Sequence, residues 1–80
     1  MILPKHAREE MQNDDISEQE VEQCLRYGEH EITQIVKGEK RYGKKIELKE
    51  KTIMVIYTVQ NNEDRVITTY TIKRKKNWQK

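Results

Sequence analysis

The chain has 80 residues, of which 38% are charged and 34% are hydrophobic, and its formal net charge is +2. This length allows one domain with one modest core and excludes a protein of two domains. Its single cysteine, Cys24, excludes an intramolecular disulfide and a metal site built from cysteines.

Apolar runs in the sequence are short. The opening Met1-Ile2-Leu3-Pro4 is too brief for the apolar part of a secretory signal. No stretch approaches the roughly 20 apolar residues that a membrane-spanning helix needs. We therefore expect a cytoplasmic protein with no membrane partner.

Charge is divided unevenly along the chain. Residues 1–31 contain nine acidic and three basic side chains, whereas residues 32–80 contain five acidic and thirteen basic ones. The second part therefore predicts a basic surface that suits an anionic partner such as RNA. The same lysines and arginines would also keep an exposed sheet soluble and its edges unpaired, and this second explanation stays open.

Two helices are predicted first. One spans residues 3–13, where an apolar side chain recurs at every fourth position from Leu3. The other follows Ser17, which forms a capping-box pattern with Glu20. It ends at Gly28, because glycine suits the left-handed conformation that often follows a helix.

After the second helix the apolar pattern changes to alternation. Strands are predicted at residues 31–37, 41–49, 52–59 and 65–72. Val66, Thr68 and Tyr70 are predicted to share one face of the last strand. Short connections indicate hairpins, so the expected fold is α+β, with two N-terminal helices packed on a four-stranded antiparallel sheet. We expect one domain over residues 1–80, with a mobile basic tail at 73–80.

The opening of the chain resembles a bacterial domain family of unknown function with the pattern His-Ala-x-x-Arg-Met-x-x-Arg-x-Ile-Ser. The likeness is carried by His6-Ala7, Met11, Ile16-Ser17, Arg41 to Lys45 and Val66 to Tyr70. That family is similar in organisation to the RelE and BrnT toxins of the barnase, EndoU, colicin and RelE group, many of which are metal-independent ribonucleases. Where the pattern has arginines the chain has Glu10 and Asp14, so no phosphate-holding role is carried over to them.

Metal-free RNA cleavage needs an acid, a base and cations beside the phosphate. His6 is the candidate acid or base, Tyr70 the candidate proton or hydrogen-bond donor, and Arg65 a source of positive charge. The residues predicted to bind nucleic acid, by phosphate contact or by stacking, are Arg41, Tyr42, Lys44, Lys45 and Arg74. A purely structural role, such as packing in the core or keeping the surface solvated, is the alternative for each of these residues. His30 is expected only to interact favourably with the negative end of the dipole of the second helix.

No metal or cofactor is predicted, because zinc-type spacing, a glycine-rich phosphate loop and a nucleophile elbow are missing from the sequence. Three functions stay open. The first is a RelE/BrnT-like, metal-independent endoribonuclease with an intact or a degenerate site, either alone or as the toxin of a toxin–antitoxin pair. The second is a non-catalytic RNA- or DNA-binding module. The third is a protein-interaction domain whose acidic helices meet a basic partner or a second copy.

Overall fold

The computed structural model describes residues 1–72 of the chain. Its elements are α1 (Lys5–Asn13), α2 (Glu18–Tyr27), β1 (Glu29–Val36), β2 (Glu39–Glu47), β3 (Thr52–Gln60) and β4 (Glu63–Ile72). The strands form one antiparallel sheet in the order β1-β2-β3-β4. The predicted α+β fold is confirmed. The tail predicted at residues 73–80 lies outside the described residues.

Tight turns decide where the strands begin. Lys37 and Gly38 have φ angles of 51° and 80°, and Asn61 and Asn62 have φ angles of 52° and 64°. Positive φ at both central residues is typical of a type I′ turn, whose twist matches that of the strands it joins. Because each turn uses only two residues, β2 and β4 begin two residues earlier than predicted.

A β-bulge in β4 changes which of its side chains share a face. Val66 and Thr69 are both fully buried and lie opposite core residues of β3. Tyr70 lies opposite Met54, on the other side of the sheet. The prediction that Val66, Thr68 and Tyr70 share a face is therefore wrong, because an inserted residue interrupts the alternation on which it rests.

The core lies between the helices and one side of the sheet. Its buried members are Ala7, Met11, Ile16, Val21, Cys24 and Leu25 from the helical part, and Ile53, Val55, Tyr57 and Val66 from the strands. We call this side of the sheet the helix face and the other side the open face. Because α1 packs mainly on β4, and α2 on β2 and β3, strand β1 lies at the margin of the helical layer.

Both helices are short, with nine and ten residues. In residues 1–72, no helix combines the length and the hydrophobicity needed to cross a lipid bilayer. The predicted start of α2 is confirmed: Oγ of Ser17 accepts a hydrogen bond from the Glu20 amide, and Oε1 of Glu20 accepts one from the Ser17 amide. This capping box satisfies two amides that the helix itself leaves unpaired.

The end of α2 is held on β2 by two hydrogen bonds. Nζ of Lys44 donates to the carbonyl oxygen of Leu25 at 2.6 Å, and Sγ of Cys24 donates to the carbonyl oxygen of Lys44 at 3.2 Å. Gly28 follows the helix as predicted, but its φ of −70° is not left-handed. Glycine is required here for space, since a Cβ would lie 2.5 Å from the Cys24 carbonyl oxygen and 2.9 Å from that of Lys45.

The outer edge of β4 is covered by the N-terminal part of the chain. Ile2 donates through its amide to the carbonyl oxygen of Asp64 and accepts from the amide of Val66. Further along the same edge, Oδ2 of Asp14 accepts a hydrogen bond from the Thr71 amide at 3.1 Å. Asp14 therefore ties the end of α1 to the end of the sheet.

We expect the core of β3 to be far more sensitive to truncation than its exposed end. Val55 and Val59 point to the same face of one strand, but Val55 is 0% exposed and Val59 is 50% exposed. Val55→Ala should lower the free energy of unfolding by about 2 kcal/mol, from lost transfer energy and an unfilled cavity. Val59→Ala should change it by less than about 0.5 kcal/mol. Urea unfolding followed by circular dichroism measures both, and equal losses would contradict this packing.

We expect Cys24 to be unreactive until the protein unfolds. Burial raises the pKa of its thiol to about 11, although the charge of Lys44 opposes the shift. At pH 8 the reactive thiolate is therefore scarce, and the thiol itself is covered by α2 and β2. Ellman's reagent should label native protein very slowly and unfolded protein in urea rapidly. Equally rapid labelling of both would show that α2 is not docked as described.

Candidate functional site

The three residues predicted to carry catalysis do not meet. His6 is exposed on α1, in the layer that covers the helix face. Tyr70 is 39% exposed and lies on the open face with its strand partner Met54. Arg65 is also on the open face, opposite Thr58. The sheet therefore lies between His6 and the other two residues.

The residues predicted to bind nucleic acid are divided between the two faces. Arg41 and Lys45 lie on the open face, and each has a glutamate partner, at 2.9 and 3.9 Å respectively. Tyr42 and Lys44 lie on the helix face, opposite Tyr57 and Val55 of β3. Arg74 lies outside the described residues.

The open face has no excess of positive charge. Its charged side chains include Glu29, Glu31, Glu39 and Glu47 as well as Arg41, Lys45 and Arg65. Residues 1–72 together contain fourteen acidic and eleven basic side chains, a net charge of −3, and residues 73–80 add five basic ones. The basic surplus predicted for the sheet therefore belongs to the sequence after β4.

Ring-bearing and cationic side chains come together on the helix face beside α2. The group comprises His30, Thr33, Tyr42, Lys44 and Tyr57, which we call the His–Tyr cluster. Nε2 of His30 lies 2.7 Å from Oγ1 of Thr33. The ring centroid of Tyr42 is 6.1 Å from that of His30 and 5.5 Å from that of Tyr57, and Nζ of Lys44 is 5.7 Å from the Tyr57 centroid.

A β-bulge in β1 brings His30 into this cluster. His30 lies opposite Lys44 and Thr33 lies opposite Tyr42, although the register shifts between these pairs. Without the extra residue at Glu31, alternation would turn His30 and Thr33 to opposite faces. The sequence gave no signal for the bulge, and the predicted site therefore did not include His30.

The cluster combines groups of different protonation chemistry. Burial raises the pKa of the Tyr57 hydroxyl, and the nearby Asp64 and Tyr42 raise it further, so this phenol keeps its proton at neutral pH. Lys44 is half-buried and places its positive charge near the Tyr57 ring while it holds the end of α2. His30 is exposed, so solvent and a ligand can both reach its imidazole. The arrangement offers a proton-transfer group beside aromatic rings and a cation.

Apolar and cationic side chains continue the cluster toward the hairpin between β1 and β2. Ile35 is 71% exposed and lies opposite Lys40 on the helix face. A shallow depression of about 260 Å³ lies beside Tyr42, and its lining includes Lys40 and Val59. Together these residues extend the helix face beyond the cover of α2.

A larger groove, of about 730 Å³, lies near α1 and the start of α2, and it does not include His6. Its charged side chains largely pair with each other: Arg8 with Glu18 at 3.5 Å and Lys51 with Glu20 at 2.9 Å. Among residues 1–72, no three His, Cys, Asp or Glu side chains are placed together as metal ligands. The groove therefore supplies no cleft for His6.

Comparison with known proteins identifies the family to which the chain is similar. The profile of a family described as a domain of unknown function (DUF4258) matches residues 3–71 of the chain. The match includes both helices, nearly all of the sheet and every residue of the His–Tyr cluster. No curated protein and no solved structure has significant similarity to the chain. The chain belongs to this family of domains of unknown function.

Proposed function

We propose that this domain binds single-stranded RNA through the His–Tyr cluster. The observation that supports the proposal is the half-buried ring of Tyr42, which lies between the rings of His30 and Tyr57 with the Lys44 ammonium close by. Single-stranded RNA is bound by aromatic rings that stack on its bases and by cations that contact its backbone. The cluster supplies both within one surface.

The charges around the cluster suit a chain of phosphates on one side only. Lys37 and Lys40 stand at the hairpin next to Tyr42, whereas α2 has three acidic side chains and one basic one, and Asp14 and Asp15 precede it. Phosphates are attracted to the first region and repelled by the second. On this proposal the RNA runs along the β1 side of the helix face, and the basic residues 73–80 add sequence-independent affinity.

The resemblance to the RelE and BrnT group implies helices followed by a four-stranded antiparallel sheet, and the chain has this arrangement. Because many proteins of that group are ribonucleases, the resemblance supports an RNA ligand. The chain departs from the family pattern at Asp14, whose carboxylate accepts a hydrogen bond from the Thr71 amide. This residue holds the fold together instead of contacting phosphate. The proposed RNA site therefore lies at the His–Tyr cluster and not beside α1.

We expect Tyr42→Ala to weaken binding of a fluorescein-labelled, uridine-rich RNA 12-mer by about 5- to 150-fold, since stacking contributes about 1–3 kcal/mol per base. Tyr70→Ala removes the same ring from the open face and should change the affinity less than twofold. Tyr42→Phe keeps the ring and should bind nearly as the original chain does. Fluorescence anisotropy at several salt concentrations measures these affinities, and affinity should fall steeply as salt rises.

Circular dichroism of each variant provides the control for folding. Equal losses in Tyr42→Ala and Tyr70→Ala would contradict the assignment of the site. A lack of RNA binding by the folded original chain would contradict the function itself.

A second candidate function is metal-independent RNA cleavage at the same cluster. The observation that favours it is the exposed imidazole of His30 beside the Tyr42 ring and opposite Lys44 in the strand register. As a base, His30 would take the proton from a ribose 2′-hydroxyl, whose oxygen then attacks the phosphorus. The Tyr42 hydroxyl would give a proton to the departing 5′-oxygen, leaving a 2′,3′-cyclic phosphate. A RelE/BrnT-like toxin of this kind would be paired with a small antitoxin protein.

We expect any cleavage of total RNA in the presence of EDTA to depend on His30 and not on His6. His30→Ala should lower the rate by at least about 100-fold, in line with the usual contribution of a general acid or base. His6→Ala is the matched control and should retain the rate. Gel analysis of the RNA with both variants decides the matter: loss of cleavage with His6→Ala alone would return the active site to α1.

A further inference from the structure

The two edge strands of the sheet, β1 and β4, differ in how far other parts of the chain cover them. The edge of β4 is covered by Ile2 at one end and by Asp14 at the other. The edge of β1 has no strand beside it in residues 1–72, and neither helix packs extensively on it. An uncovered edge strand presents amide and carbonyl groups to which another strand can bind.

The residues of this edge favour pairing over protection. Past the bulge, residues 32–36 read Ile-Thr-Gln-Ile-Val, a run with no charge, proline or glycine. Edge strands that avoid association usually carry charged residues, lysine above all, or proline. Ile35, which points to the helix face, is 71% exposed and so leaves most of an isoleucine side chain in water.

We propose that β1 pairs with β1 of a second copy, in antiparallel orientation about a two-fold axis at Gln34. In this register Ile32 lies opposite Val36 of the other copy on the open face, and Thr33 lies opposite Ile35 on the helix face. The two Ile35 side chains are then diagonal neighbours across the axis, within reach of each other. All three apolar side chains of the strand become covered, and the two sheets join into one of eight strands.

The charges at the ends of β1 support the antiparallel arrangement. The strand begins with Glu29 and Glu31 and is followed by Lys37. Antiparallel pairing with a second copy brings the acidic end of each strand beside the lysine of the other. Parallel pairing would instead place like charges together, which is unfavourable. A two-fold arrangement also closes the assembly at two copies, because it leaves no further β1 edge uncovered.

The dimer would also place two His–Tyr clusters side by side, because Thr33 of each copy faces Ile35 of the other on the helix face. The two sites then form one continuous surface across the axis. The inference rests on the uncovered edge, its apolar side chains and its charges. It therefore stands or falls independently of RNA binding, and it is tested without RNA.

Sedimentation equilibrium of the whole chain over a range of micromolar concentrations tests the proposal. A monomer–dimer equilibrium is expected, and Gln34→Lys should weaken dimerisation by about two- to fivefold, because it places two positive charges opposite each other on the axis. Val59→Lys adds the same charge on β3, away from the edge, and should leave the dimer intact. Circular dichroism shows whether each variant is folded.

A cross-linking experiment tests the register. Gln34→Cys brings two cysteines opposite each other with Cα atoms about 4.5–5.5 Å apart, within the range of a disulfide. Mild oxidation should give a covalent dimer, whereas Gln60→Cys, at the exposed end of β3, should not, and the buried Cys24 does not compete. A chain that stays monomeric overturns the proposal and leaves the edge to a strand of another protein. A dimer that Gln34→Lys and Val59→Lys leave equally stable, or equal cross-linking of both cysteine variants, overturns it as well.

Discussion

The last turn of α2 is tied to β2 by hydrogen bonds that run in both directions. Lys44 donates to the carbonyl of Leu25, and its own carbonyl accepts from the thiol of Cys24. The absence of a side chain at Gly28 lets the chain pass close to both elements and enter β1 at once. His30 consequently lies opposite Lys44. The packing that fixes the helix end therefore also fixes the positions of the groups in the His–Tyr cluster.

Lys44 illustrates how one side chain serves both the fold and the candidate site. Its ammonium satisfies a carbonyl at the C-terminus of a helix, where positive charge is favourable. Its charge also lies near the Tyr57 ring. A substitution at this position would disturb stability and ligand binding together. Tyr42 separates the two effects better, because its half-buried ring packs against the core but makes no hydrogen bond to either helix within residues 1–72.

The charge distribution limits where an anionic ligand can bind. The open face mixes glutamates with cations that are mostly paired, and the helices carry a surplus of acids. Positive charge without a close acidic excess is found at the hairpin near Lys37 and Lys40 and in the sequence of residues 73–80. We therefore expect base stacking on Tyr42 to contribute more to the affinity for RNA than net charge does.

Local sequence signals predicted most of the fold. The capping residues Ser17 and Glu20 marked the start of α2, and the short connections between the predicted strands indicated the hairpins. The faces of β1 and β4 were not predictable, because each contains a bulge that depends on its pairing with a neighbouring strand. Because the bulge in β1 was not predictable, the sequence favoured His6, an exposed motif residue on α1, over His30. Only the register brings His30 to Tyr42.

We propose that RNA bases stack at the His–Tyr cluster, and not on the open face or on the surface around His6. Titration of the ¹⁵N-labelled chain with an unlabelled uridine-rich 12-mer, followed by amide chemical shifts, tests this claim residue by residue. We expect the largest changes at five residues, His30, Thr33, Tyr42, Lys44 and Tyr57, with little change around Tyr70 or His6. Changes centred on Tyr70 and the open face, or on His6 and α1, would contradict it.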